Sequence, residues 1–184
     1  MIVTVNSISP ERVRDLVATH CRDIPDFPSP GVVFKDITPL LADSYAFGQV
    51  IEYLADFLER VGAELVVGIE ARGFILAAPA AFHAGLGFVP LRKPGKLPGV
   101  TLRESYALEY GEASLEMHED AIRPGARVVI MDDVLATGGT AAAAADLLER
   151  AGAKVLGMSF LIELAHLGGR AKLPGRDIDC VWTP

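Results

Sequence analysis

Val128–Thr140 reads VVIMDDVLATGGT. A continuously apolar run leads into two adjacent carboxylates, Asp132 and Asp133, and then into a loop of small and hydroxyl-bearing residues. The run predicts a buried strand. The alanine-rich stretch behind it, from about Thr140 to Arg150, predicts a helix. In an open parallel sheet, ligands bind beyond the carboxyl ends of the strands, which is where these aspartates fall. Adjacent strand residues point to opposite faces. Both carboxylates therefore serve one ligand only if the strand is already breaking into the loop. The loop Leu135–Thr140 offers unpaired N–H groups, two threonine hydroxyls and a helix start, which together form an anion cradle. Carboxylates repel phosphate and accept hydrogen bonds from a cis-diol. The stretch thus reads as a site for a ribose followed by a phosphate.

The same alternation extends outward. Ser9-Pro10 predicts a helix start, with Val13, Leu16, Val17 and His20 on one face to about residue 22. The proline-dense segment 23–41 (DIPDFPSPGVVFKDITPLL) predicts an irregular loop. Asp43 or Ser44 caps a second helix, whose apolar stripe runs from Phe47 to Val61 and which Gly62 ends. ELVVGIEA (64–71) is a strand. Small residues from about Gly73 to Gly85 form a helix that Pro79 should kink or start. FVPLRK (88–93) is a strand and PGKLPGVTLRE (94–104) a mobile loop. SYALEYGEASLEMHED (105–120) is a hairpin around Gly111. Strands at RVVIM (127–131), KVLGMSFLIEL (154–164) and DIDCVW (177–182) complete the pattern. Strands alternating with helices, several of them apolar throughout, predict an α/β fold: a central, mostly parallel sheet flanked by helices.

Composition narrows the classes. The 184 residues suggest one domain, and 51% hydrophobic residues argue against disorder. A net charge of -7 disfavours nucleic acid and anionic membrane as partners. Cys21 and Cys180, in no CxxC pattern, fit a reducing, cytoplasmic setting with neither a disulfide framework nor a zinc site. The N-terminus lacks the pattern of a signal peptide. No segment has the roughly 18 consecutive apolar residues of a transmembrane helix. There is no Walker loop, no GxGxxG after a strand and no GxSxG. The four histidines show no metal-ligand spacing, so no metal ligand is assigned to the protein.

VVIMDDVLATGGT resembles the phosphoribosyl-pyrophosphate (PRPP) binding motif of type I phosphoribosyltransferases. DFPSPGVVFKDITPLL, GIEARGF, FVPLRKPGKLPG and SYALEYG resemble segments of the adenine phosphoribosyltransferases, in the same order and at similar spacing. The resemblance covers about Ile24 to Leu167. It implies a single phosphoribosyltransferase domain over 1–184, with an N-terminal helix and purine-binding hood over about 1–42 and a mobile loop and hairpin over about 93–118. It implies purine salvage: adenine and PRPP give AMP and pyrophosphate, with Mg2+ arriving on PRPP, in a cytoplasmic homodimer.

The residues carry over one by one. Asp132 and Asp133 would hold the ribose, and Ala136, Thr137, Gly138, Gly139 and Thr140 the 5′-phosphate. Arg72, at a strand's carboxyl end, would clamp pyrophosphate or else pair with Glu70. Arg92, Lys93 and Lys96, three cations within five residues, would hold pyrophosphate. Val33 would present backbone groups to the purine edge beside Lys35, which stands where many relatives carry Arg. Glu109 would assist loss of the N9 proton, and Tyr110 with Tyr106 would close over the site. Related enzymes hold a cis peptide where Glu70-Ala71 falls. Two alternatives share the PRPP motif: transfer to a 6-oxo purine such as xanthine, guanine or hypoxanthine, and a PRPP-sensing regulator.

Overall fold

The computed structural model describes residues 9–107 and 112–184. Helix α1 (Pro10–His20) begins where the Ser9 hydroxyl accepts from the Arg12 N–H and a proline sets the first helical φ. Val13 and Val17 are fully buried, and His20 Nδ1 lies 2.8 Å from the Leu16 carbonyl. The proline-dense segment is more ordered than its composition suggests. Strands β1 (Arg22–Pro25) and β2 (Val33–Asp36) pair antiparallel, and helix α2 (Thr38–Ala42) follows. Pro25 is tolerated because it ends a two-stranded ribbon, where a missing N–H breaks no interior ladder. Asp26 Oδ1 accepts from the Gly31 N–H at 2.7 Å inside the turn. Helix α3 (Ser44–Val61) is capped by Asp43, whose carboxylate accepts from the Ala46 N–H at 2.9 Å.

Strand β3 (Leu65–Ile69) leads to helix α4 (Arg72–His83), which begins at Arg72 and runs through Pro79. The carbonyl that loses its donor there belongs to Ile75, on the helix's exposed side. Strand β4 (Gly87–Leu91) precedes a long antiparallel pair, β5 (Thr101–Ala107) and β6 (Glu112–His118). Thr101–Glu104, expected in a loop, is therefore strand, and Gly111 lies outside the described residues. Strand β7 (Arg127–Leu135), helix α5 (Gly139–Arg150), β8 (Lys154–Glu163), two short 3-10 turns and β9 (Ile178–Trp182) complete the chain.

The expected parallel sheet is present, with strand order β4-β3-β7-β8-β9 and every pairing parallel. Period-two alternation divides its side chains between two cores. Val66, Val129, Met131 and Leu161 pack with α1, α3 and α4. Val67, Ile69, Val128, Ile130 and Phe160 pack with α5 and the β5–β6 ribbon. The one irregularity in the β7–β8 register lies between Val128 and Val129, ahead of the aspartates. Val134 packs against the first core and Leu135 in the second. Asp132 and Val134 keep ladder partners Phe160 and Ile162 on β8. The strand thus continues through both carboxylates instead of ending before them. Among the described residues, no helix is long and apolar enough to cross a membrane.

Candidate active site

A cleft of about 900 Å³ opens beyond the carboxyl ends of β3 and β7, with β2 on one side and the β5–β6 ribbon on another. Asp132 and Asp133 both line it. At the carboxyl end of β7, adjacent residues therefore reach one cavity. Asp132 Oδ1 accepts from the Asp133 N–H at 2.9 Å. Helix α4 closes in from the other side: a Cβ on Gly73 would stand 2.7 Å from Asp132 Oδ1 and 3.0 Å from the Met131 carbonyl. A glycine is needed there for that approach.

Burial pushes the Asp132 carboxyl well above its usual range, and the neighbouring Asp133 charge adds to the rise. Asp133, 4% exposed, is also raised by burial, against the opposing pull of Arg72. Arg72 Nε lies 2.6 Å from Asp133 Oδ2, a close ion pair whose N–H is not aligned for a hydrogen bond. Two crowded carboxylates, Asp133 buried and Asp132 half-buried, share one cation, so the pair favours hydroxyl donors or a further positive charge from a ligand.

Ala136 and Thr140 line the same cleft. Thr137 and Gly138 line a smaller cavity that shares Asp132, Ala136 and Thr140 with it, and Gly139 opens α5 directly behind. Gly138 has φ 78°, and a Cβ on it would stand 2.3 Å from the Gly169 carbonyl. Gly169 is equally close to Ala136: its own Cβ would stand 2.3 Å from the Ala136 carbonyl. The 3-10 turn at Gly169 thus props the loop that precedes α5. An ion pair of Arg170 with the buried Glu163 (Nε–Oε1 2.8 Å) holds that turn to β8.

Arg72 stands at the start of α4, after a cis peptide between Glu70 and Ala71. Its guanidinium lies 4.7 Å above the ring centre of Phe34 on β2, so one side chain joins the sheet to the N-terminal ribbon. The possible partner Glu70 is engaged elsewhere. Its Oε2 accepts from the Lys93 N–H at 2.9 Å and from Arg92 Nε at 3.2 Å. Burial works to raise the Glu70 carboxyl, and these donors outweigh it and leave it lowered.

The three loop cations separate. Lys93 lines the cleft. Arg92 does not; it binds Glu70 and the Lys96 carbonyl. Lys96 is exposed and is not among the cleft-lining residues. Val33 and Lys35 both line the cleft, but Lys35 Nζ is paired with Asp23 at 2.7 Å and lies 5.3 Å from the Trp182 ring centre. Tyr106 lines the cleft and accepts a hydrogen bond from Thr140 Oγ1 at 3.2 Å. Glu109 and Tyr110 lie outside the described residues.

Sequence reasoning missed the bracing residues: Glu116, Gly169, the Glu163–Arg170 pair and the stacking role of Phe34. Of these, only Glu116 in SLEMH and Glu163 in FLIEL carry a sequence signal, a charge inside an apolar stretch. Among the described residues, no group of three or more His, Cys, Asp or Glu side chains could hold a metal ion.

The chain matches the phosphoribosyl transferase domain model over residues 42–182. It is 62% identical over 165 residues to an adenine phosphoribosyltransferase of Acidothermus cellulolyticus, covering 90% of this chain and 93% of that one. The adenine phosphoribosyltransferase structure from Thermoanaerobacter pseudethanolicus superposes with a TM-score of 0.90 at 50% identity, covering 96% of this chain and all of that one (100%). The Saccharomyces cerevisiae enzyme, complexed with an imino-altritol bisphosphate and adenine, superposes with a TM-score of 0.87 at 36% identity, covering 93% and 99%. With its parallel sheet, its aspartate pair and its glycine-braced loop, this chain belongs to the phosphoribosyl transferase domain family, among the adenine phosphoribosyltransferases.

Proposed function

We propose that the protein transfers the phosphoribosyl group of PRPP to adenine, forming AMP and pyrophosphate, as a purine salvage enzyme. The observation that carries this reading is convergence on one cleft: the Asp132–Asp133 pair, the loop at the start of α5, Arg72, Lys93 and the Val33 strand all border it. The similarity to a yeast enzyme crystallised with adenine supports the choice of base.

In the reaction, the C1′–oxygen bond to pyrophosphate breaks, N9 of adenine bonds to C1′, and the N9 proton leaves. Asp132 and Asp133 hold the ribose hydroxyls. The N–H groups of Ala136–Thr140 and the N-terminus of α5 hold the 5′-phosphate. Lys93 and Arg72 hold pyrophosphate, Arg72 exchanging Asp133 for the ligand, while Arg92 and Lys96 act by shaping the loop. Val33 and Phe34 border the purine, with Lys35 held beside it by Asp23. Glu109 assists proton removal and Tyr110, with Tyr106, excludes water. Most of the acceleration comes from positioning and charge stabilisation.

Mg2+ bound to PRPP would supply charge neutralisation on the leaving pyrophosphate. The crowding of Asp132 and Asp133 fits such a ligand, and these carboxylates would hold its ribose hydroxyls beside the metal. The chain forms one phosphoribosyltransferase domain, with its hood over about 1–42 and its moving loop and hairpin over about 93–118. It works in the cytoplasm as a homodimer. Incubation with PRPP, Mg2+ and each of adenine, hypoxanthine, guanine and xanthine tests the reading. AMP from adenine is expected; a nucleotide formed only from a 6-oxo purine overturns the base assignment, and no nucleotide from any base overturns the activity.

A further inference from the structure

We propose that Glu116 is a positioning residue that locks the Lys93 loop onto the β5–β6 ribbon, so that Lys93 is held at the pyrophosphate side of the cleft. This rests on the transferase reading above. Glu116 sits on β6 and is only 4% exposed, yet it is not among the residues lining the cleft. One carboxylate oxygen accepts from Arg103 Nε on β5 at 2.9 Å. The other accepts from the Gly95 N–H at 2.9 Å. The backbone of Glu116 is tied to the same loop: its N–H donates to the Arg92 carbonyl at 2.7 Å, and its carbonyl accepts from the Arg92 N–H at 2.9 Å. Lys93 stands between these two attachments and lines the cleft, and so do Ser114 and Leu115 just before Glu116 on β6.

Both side-chain partners are donors, and this determines what the position accepts. A carboxylate offers an acceptor to each. A glutamine of the same shape has one acceptor oxygen and one donor amide, and so must turn its N–H groups toward either Gly95 or Arg103. A buried carboxylate is costly without partners, so the loop and Glu116 stabilise each other's position. When the loop opens to admit PRPP, the Gly95 N–H leaves and Glu116 keeps only Arg103. Reclosing restores both contacts and returns Lys93 to the cleft with the ribbon already in register.

The test is Glu116→Gln in the full chain, with steady-state kinetics against both substrates, a thermal midpoint, and hydrogen exchange at the Gly95 amide. The KM for PRPP is expected to rise about tenfold, matching loss of one charge-assisted hydrogen bond. The thermal midpoint should fall modestly, because one buried donor loses its acceptor. The KM for adenine should stay at the parent's value, and Gly95 should exchange faster. An unchanged KM for PRPP overturns the proposal. So does an equal rise in both KM values, which would make Glu116 a structural residue only. Should Glu116→Gln fail to fold, Arg103→Ala removes the orienting partner from an exposed position, with Arg103→Lys as the conservative rescue. Absence of AMP from the parent protein would overturn the transferase reading instead, and Gly95 exchange would then decide the lock by itself.

Discussion

Arg72 Nε lies 2.6 Å from Asp133 Oδ2 while the same guanidinium stacks 4.7 Å above the Phe34 ring. One side chain therefore holds a carboxylate of the β7 end and an aromatic ring of the N-terminal ribbon. Lys has neither the fork nor the planar face. Arg72→Lys is expected to raise the KM for PRPP about tenfold. It should also loosen β2, measured as faster exchange of the Phe34 amide. An unchanged KM would remove Arg72 from the pyrophosphate subsite.

Asp132 couples stability to function. Its carboxyl is raised above the unfolded value of 3.8, so the folded chain holds that proton more tightly than the unfolded one. Stability from this group is present below 3.8 and is lost as pH rises through the raised folded value. Asp132→Asn should therefore have a higher thermal midpoint than the parent at pH ~7, with the difference vanishing in acid. The same substitution should lower kcat/KM for PRPP by about 100-fold, through loss of ribose positioning. Thermal melts across pH, with kinetics at one pH, check both halves. A parent more stable than the variant at neutral pH contradicts the sign.

Gly138→Ala places a methyl group where the Gly169 carbonyl already stands, at 2.3 Å. The left-handed conformation alone costs about 1–2 kcal/mol. The loop must shift, and a displacement near 1 Å costs about 100-fold in kcat/KM. Gly152→Ala is the control. It shares a positive φ of 87°, but its new Cβ would meet Pro124 no closer than 3.4 Å. It should lower the melting temperature and leave the KM for PRPP unchanged.

Asp36 braces the strand that carries Val33. The Thr38 N–H, and after it Arg22, hold its carboxyl down to about 2. The contribution is present above the unfolded value of 3.8 and is lost as pH falls from there toward about 2. Asp36→Asn should thus be less stable than the parent at neutral pH and equal to it at the acid end. If the ribbon frames the purine, the KM for adenine rises more than the KM for PRPP. Melts across pH and two-substrate kinetics measure these effects.

Glu109→Gln tests the proton-removal role. Turnover with adenine should fall about 100-fold while the KM for PRPP holds. Wild-type turnover in the variant would remove Glu109 from that role.

Much of this protein was legible in the order of its residues. The apolar runs of β3, β7 and β8 announce a parallel sheet buried on both faces, because only strands covered from both sides can be apolar throughout. Ser9, Asp43 and Gly62 mark helix ends through purely local hydrogen bonds and φ preferences. VVIMDDVLATGGT carries its own chemistry, since strand, carboxylates, loop and helix are contiguous. The ribbon of β1 and β2 was hidden, because its prolines read as a loop and its pairing depends on Asp23–Lys35 and Arg22–Asp36 contacts across a turn.

The partnerships at the site belong to the tertiary structure. Arg72 chose Asp133 over its near neighbour Glu70, and Glu70 went to Arg92 and Lys93. The cleft that Asp132 and Asp133 share and the carbonyl that makes Gly138 obligatory arise where segments distant in sequence meet. So does the lock between Glu116 and Gly95. Local periodicity and capping are short-range and are written in consecutive residues. Charge pairing and close backbone approach depend on which strands and turns the fold places side by side, and there the tertiary structure decided.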